Sequence, residues 1–166
     1  MKRSLKGFSS VEMQFIDVFY IQQNNMSKTS ELLSKNIEEI REMKNDLKNR
    51  IQKILSCRDK WNSKEIGGNF WDFYEWYVNA EQKCYYCNIT QEELDQLHRI
   101  GIINKRKSRG KNLEIDRKIA NEEYMNIDNL TYSCYWCNNA KTDTFTESEF
   151  LKIGKAISEV WKKRLN

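Results

Sequence analysis

Apolar residues along the first third of the chain recur at helical spacing. Val11, Phe15, Val18, Phe19 and Ile21 fall largely on one side of a helix, which residues 22–25, Gln-Gln-Asn-Asn, then interrupt. Ser27 or Thr29 is placed to cap a second, short helix carrying Leu32 and Leu33. Asn36 next caps a long helix in which Ile37, Ile40, Met43, Leu47, Ile51, Ile54 and Leu55 keep i, i+3, i+4 spacing. Its early turns hold Glu38, Glu39 and Glu42 and its later ones Lys48, Arg50 and Lys53, the order the helix dipole favours. No proline interrupts it.

Three helices with a short middle one suit a helix-turn-helix. Over about residues 10–56 the spacing resembles the small DNA-binding domains of phage terminase small subunits. Ile37, Ile40, Leu47, Ile51 and Ile54 also nearly keep a heptad, so a helical hairpin for dimerisation stands beside the DNA-reading role. The acidic first turns of the third helix sit awkwardly against DNA.

Beyond this the pattern changes. Lys60 to Gly68 reads as a linker, with Gly67-Gly68 as its break, giving an all-helical region over 1–62 and a second domain over 63–166. Phe70, Trp71, Phe73, Tyr74, Trp76 and Tyr77 form an aromatic block expected in the core of that second domain. Gln91 to Ile100 predicts a short helix carrying Leu94, Leu97 and His98, and residues 112–117 alternate as a strand. Residues 129–134 lead into a cysteine pair, and Phe145 to Trp161 is amphipathic and helical. The second domain is therefore expected to be a small α+β fold.

Composition narrows the possibilities. With 166 residues, 39% hydrophobic and 12% aromatic, the chain is expected to fold as one domain or two small ones rather than remain disordered. A mean hydropathy of -0.83, no long apolar run and no signal-peptide core predict a soluble, cytoplasmic protein without a membrane span. Net charge is +4, but its distribution is more telling. Arg99, Lys105, Arg106, Lys107, Arg109, Lys111, Arg117 and Lys118 cluster against only Glu114 and Asp116, interleaved with Gly and Ser. Such a segment suits a loop facing nucleic-acid phosphates.

Of five cysteines, Cys84 and Cys87 form one Cys-x-x-Cys pair and Cys134 and Cys137 another. Without a secretion signal, such pairs read as thiolate ligands of Zn²⁺ rather than disulfides. Two such turns complete a tetrahedral site with no open position, which makes the ion structural. Cys57 is left over on a helical stretch as an inert buried thiol. A zinc deaminase also uses Cys-x-x-Cys, but it needs a His-x-Glu motif that His98-Arg-Ile100 does not supply.

Cys84-x-x-Cys87, then Leu113-Glu-Ile-Asp116-Arg117, then Asn129 followed by Cys134-x-x-Cys137-Asn138-x-x-Lys141 occur in that order. This arrangement resembles the HNH endonucleases over roughly residues 70–160. The resemblance implies a zinc-stabilised ββα-metal domain that clasps a catalytic Mg²⁺ or Mn²⁺ between a strand and a helix. It makes Asp116 and Asn138 the ligands of that ion, Asn129 the residue holding the loop, and Lys141 a basic residue near the scissile phosphate. Two protein oxygens suit a hard divalent ion and leave room for phosphate and water. Arg106, Lys107, Arg109 and Lys111 then become backbone clamps beside the active site.

One position departs from the pattern. The usual motif has a histidine after the metal-binding aspartate as general base, and here Arg117 stands there. A guanidinium stays protonated and cannot accept a proton from water, although it can clamp a phosphate. The layout resembles a subclass of HNH restriction endonucleases that carries Asp-Arg in place of Asp-His and is thought to use a tyrosine. Tyr77, seven residues before Cys84, occupies the corresponding region. His98, the single histidine, is the second candidate. Loss of the proton to solvent or to a phosphate oxygen is the third route.

The expected function is a metal-dependent endonuclease, acting sequence-specifically on double-stranded DNA as a homodimer, in restriction or in a mobile-element or phage setting. A catalytically inactive zinc-stabilised DNA-binding regulator is the alternative, favoured by Arg117. RNA as substrate would draw on the clustered aromatics, which more naturally pack a core.

Overall fold

The computed structural model describes Leu5 and residues 7–103, 109–124 and 126–165. The chain divides into two compact units, Met1–Asn79 and Ala80–Asn166.

The first unit is helical. Helix α1 (Ser10–Phe15) is capped by Ser9, whose hydroxyl accepts the Glu12 N–H while the Glu12 carboxylate accepts the Ser9 N–H. The predicted helix continues through Ile16–Ile21, but as a π-helical turn. The wider turn brings residue i+5 back toward the same face, so Phe19 and Tyr20 both pack on Phe15, with ring centroids 5.3 and 5.8 Å away. Helix α2 (Met26–Leu33) is capped by Asn25, not by Ser27 or Thr29. Thr29 is instead buried, its hydroxyl donating to the Asn25 carbonyl.

Asn36 caps α3 (Ile37–Leu47) in a capping box with Glu39, as its sequence position predicts. The long helix expected from there to Leu55 does not form. Residues 48–51 make a turn, and α4 (Gln52–Ser63) starts afresh. Leu47, Ile51 and Ile54 are buried on both sides of the break, so the apolar spacing runs through it undisturbed. Periodicity is blind to a bend that preserves i, i+4.

The linker and the aromatic block also fall differently. Helix α4 extends to Ser63, and a short turn in which Glu65 and Gly68 take positive φ leads into α5 (Phe70–Asn79). That helix belongs to the first unit. Phe70 packs edge-on against Trp61, and the Trp71 indole N–H donates to Asp17 at 2.9 Å. The aromatics thus build the helical unit, and the boundary lies at 79/80 rather than 62/63.

The second unit is α+β. Its elements are α6 (Gln91–Arg99), β1 (Glu114–Arg117), β2 (Leu130–Ser133), α7 (Tyr135–Lys141) and α8 (Glu147–Leu165). The strands pair antiparallel, with Asp116 opposite Thr131 and Arg117 opposite Leu130. Leu94, Leu97, Ile115, Tyr132, Phe150 and Trp161 supply its core. Among the described residues no helix is long and apolar enough to cross a membrane.

Helix α8 approaches the turn around Tyr86 so closely that only glycine fits. A Cβ on Gly154 would lie 2.3 Å from the Tyr86 carbonyl oxygen. Gly154→Ala is therefore expected to destabilise the second unit by about 1–3 kcal/mol, as overpacking does. Denaturant unfolding measures it, and unchanged stability would contradict the close packing.

Candidate metal centre and active site

The two cysteine pairs converge. Cys84, Cys87, Cys134 and Cys137 are all buried, and their sulfurs lie within 4.8 Å of one another. Cys87 and Cys134 are 3.8 Å apart. That is the edge of a tetrahedron of sulfurs placed about 2.3 Å from a central ion. The first pair sits in a turn closed by Cys84 N–H to Ile89 O and Asn88 N–H to Cys84 O, both 2.8 Å, with Asn88 at positive φ. The Tyr85 N–H reaches the Tyr132 carbonyl at 2.8 Å, tying this turn to β2. The second pair opens α7, where Cys134 is the N-cap and its sulfur accepts the Cys137 N–H.

Thiols bunched this closely shift one another's ionisation. Hydrogen bonds from Cys134, Cys137 and Cys87 hold Cys84 far below the usual thiol range. Hydrogen bonding with Cys134, Cys84 and Cys87, together with burial, pushes Cys137 up. A cation at the centre lets all four ionise together.

Asp116 lies in β1, 8% exposed, and one carboxylate oxygen accepts the Arg117 N–H at 2.8 Å. Asn138 follows directly after Cys137 on α7, and its side-chain N–H donates to Glu114 at 2.8 Å. Glu114 precedes Asp116 by two residues, so the two carboxylates leave the same face of the strand. Sequence reasoning passed over Glu114. Its signal was that i, i+2 alternation, hidden by attention to Asp116 alone.

Asn129 pins the chain just beyond β1. Its side-chain oxygen accepts the Ile119 N–H at 2.8 Å and its amide donates back to the Ile119 carbonyl at 3.1 Å. The Asn129 carbonyl accepts the Lys118 N–H. Arg117 lies over the Tyr124 ring at 4.5 Å and donates from Nη1 to the Glu122 carbonyl at 2.8 Å. Its Nε is buried and has no hydrogen-bond partner among the described residues.

Lys141 does not lie open to a phosphate. It is 1% exposed, and its Nζ donates to the Arg117 carbonyl at 3.0 Å. The buried Tyr86 hydroxyl points at the same carbonyl. The ammonium thus caps the end of β1, a role the sequence position alone could not distinguish from a phosphate contact.

His98 is half-buried on α6, its Nε2 2.9 Å from the Gly110 carbonyl, where it secures the loop. Tyr77 lies on α5 in the first unit, and burial pushes its phenol up, away from ionisation at neutral pH. Arg109 forks onto Glu114 with bonds of 2.9 and 2.6 Å and covers the Tyr135 ring at 5.0 Å. Lys111 is exposed, while Arg106 and Lys107 lie outside the described residues.

A solved structure now bears on this geometry. The rare-cutting HNH restriction endonuclease PacI matches with a TM-score of 0.52 and 25% identity, over 68% of this chain and 78% of that one. The fold is HNH-like. No family model matches the chain, and a search of curated proteins finds no match.

Purified protein is expected to carry one tightly held divalent ion per chain at the four sulfurs, by elemental analysis. Alkylation gives the complementary readout. With the ion in place no cysteine should react, and a chelator should expose Cys84, Cys87, Cys134 and Cys137. Cys57 should stay unmodified until the first unit unfolds, because burial pushes its thiol up to about 12 and the thiolate is the reactive form. Equal labelling of Cys84 with and without chelator would exclude a metal cluster.

Proposed function

We propose that the chain is a metal-dependent endonuclease of the HNH type that hydrolyses phosphodiester bonds in double-stranded DNA. Zn²⁺ is structural in the four-cysteine cluster, and Asp116 and Asn138 hold Mg²⁺ or Mn²⁺. One observation carries this reading: Glu114 is strand neighbour to Asp116 and hydrogen-bond partner to Asn138, which links the oxygen donors of β1 and α7. A carboxylate and an amide oxygen fit a hard cation, whereas thiolates fit zinc. The likeness to PacI supports DNA as the substrate. When bound, the ion stabilises charge on the phosphate and on the leaving oxygen.

The chain's own residues supply the rest. Arg117 clamps the scissile phosphate, exchanging its Glu122 carbonyl for phosphate oxygens. Asn129 and Lys141 hold the end of β1 so that Asp116 and Arg117 keep their positions. With His98 engaged at Gly110 and Tyr77 held protonated, the favoured route for the attacking water's proton is solvent or a phosphate oxygen. Cutting both strands takes two active sites, so a homodimer acts, with sequence specificity and a restriction-type or mobile-element role. A DNA-binding regulator without catalysis is the second reading, favoured by Arg117 in place of the usual base.

Digestion of long mixed duplex DNA with Mg²⁺ or with EDTA tests the proposal. Discrete bands that require the metal are expected, and Asp116→Ala should abolish them while leaving DNA binding in place. Arg117→Ala should slow cleavage on the order of 10²–10³-fold, the usual cost of removing one transition-state donor. Absence of cleavage by zinc-loaded, DNA-binding protein would hand the case to the regulator.

A further inference from the structure

An asparagine is an ambiguous ligand. Its amide presents an oxygen on one side and an N–H₂ on the other, and only the oxygen can face a cation. Nothing in the amide itself selects between the two orientations. At Asn138 the selection comes from β1. The Glu114 carboxylate lies 2.8 Å from the amide nitrogen, and an ionised carboxylate accepts hydrogen bonds but cannot donate them. It therefore takes the nitrogen end and leaves the oxygen end for an ion.

Glu114 is itself held. Arg109 reaches both carboxylate oxygens, Nε at 2.9 Å and Nη2 at 2.6 Å, and its guanidinium covers the ring of Tyr135, the first residue of α7. The Glu114 side chain is 18% exposed and that of Arg109 50%. One carboxylate oxygen serves both Arg109 and Asn138, within its two-lone-pair capacity.

We propose that Glu114, braced by Arg109, is the positioning residue that turns the Asn138 oxygen toward the ion at Asp116. This rests on the reading of Asp116 and Asn138 as ligands. It also gives Arg109 a part in the metal site, besides any contact with phosphate.

Mn²⁺ binding by the zinc-loaded protein without DNA, followed by electron paramagnetic resonance of the free ion, separates the possibilities. Glu114→Ala removes the acceptor and should weaken Mn²⁺ binding on the order of 10–100-fold, as loss of an outer-shell partner does. Glu114→Gln keeps an acceptor oxygen at the same reach and should recover most of that loss. Arg109→Ala, altering a half-exposed side chain that leaves the fold intact, should weaken binding by a smaller factor. The drop in free-ion signal that wild-type protein causes should be absent with Asp116→Ala.

Unchanged affinity in Glu114→Ala would overturn the proposal. So would a loss in Glu114→Gln as deep as in Glu114→Ala, which would make the carboxylate charge itself a ligand. Should Glu114→Ala lose its zinc, Glu114→Gln and Arg109→Ala decide by the same criteria: Arg109→Ala with wild-type affinity overturns the bracing. Wild-type protein binding Mn²⁺ no better than Asp116→Ala would remove the ion site, and this proposal with it. Wild-type binding lost in Asp116→Ala but intact in Glu114→Ala would sink only the positioning role.

Discussion

Four sulfurs within 4.8 Å of one another are the constraint on which the second unit depends. They join a turn near residue 85 to the start of α7, and β2 lies between, bonded to the turn through Tyr85 and Tyr132. A two-stranded ladder of four residue pairs is marginal by itself in water. With its outgoing end fixed to the cysteine turn and its partner strand pinned by Asn129, the ladder becomes a rigid base for Asp116. Cys134 has two duties, sulfur of the cluster and cap of α7, so the helix bearing Asn138 starts where the cluster places it.

Electrostatics follow from that frame. The end of β1 gathers an acidic side chain and a guanidinium and, from α7, a buried ammonium. Lys141 and Tyr86 both turn to the Arg117 carbonyl, and Asp116 helps push the Tyr86 phenol up, after burial, the larger cause. A lysine 1% exposed is costly unless hydrogen-bonded, and the carbonyl at the strand end, with the Tyr86 ring 5.8 Å away, meets that need. The positive charge thus stays close to the strand end without being spent on solvent.

Much of this was legible in the sequence, for identifiable reasons. The Cys-x-x-Cys spacing specifies a local turn and the order of motifs specifies the hairpin, so the sulfur cluster and the β1–α7 pairing could be anticipated. Asn36 as a cap was legible because capping depends on residues only three positions apart. The misplaced features depend on direction. The bend at 48–51 leaves apolar spacing intact, and the aromatic block serves whichever unit α5 packs into. The burial of Lys141 and the Glu114–Asn138 bond arise from one side chain meeting another across elements, which no spacing encodes.

The fit of Gly154 against Tyr86 bears on the timing of folding. In the first unit, consecutive helices pack on their sequence neighbours, contacts of short separation that form early. In the second, the turn at Tyr86 is covered by Phe150 and Gly154, more than sixty residues downstream. During synthesis the helical unit can therefore be complete while the cysteine turn still lacks its cover. A ribosome carrying a partly made chain would hold a finished first unit and an unfinished second, so the two halves mature in sequence rather than together.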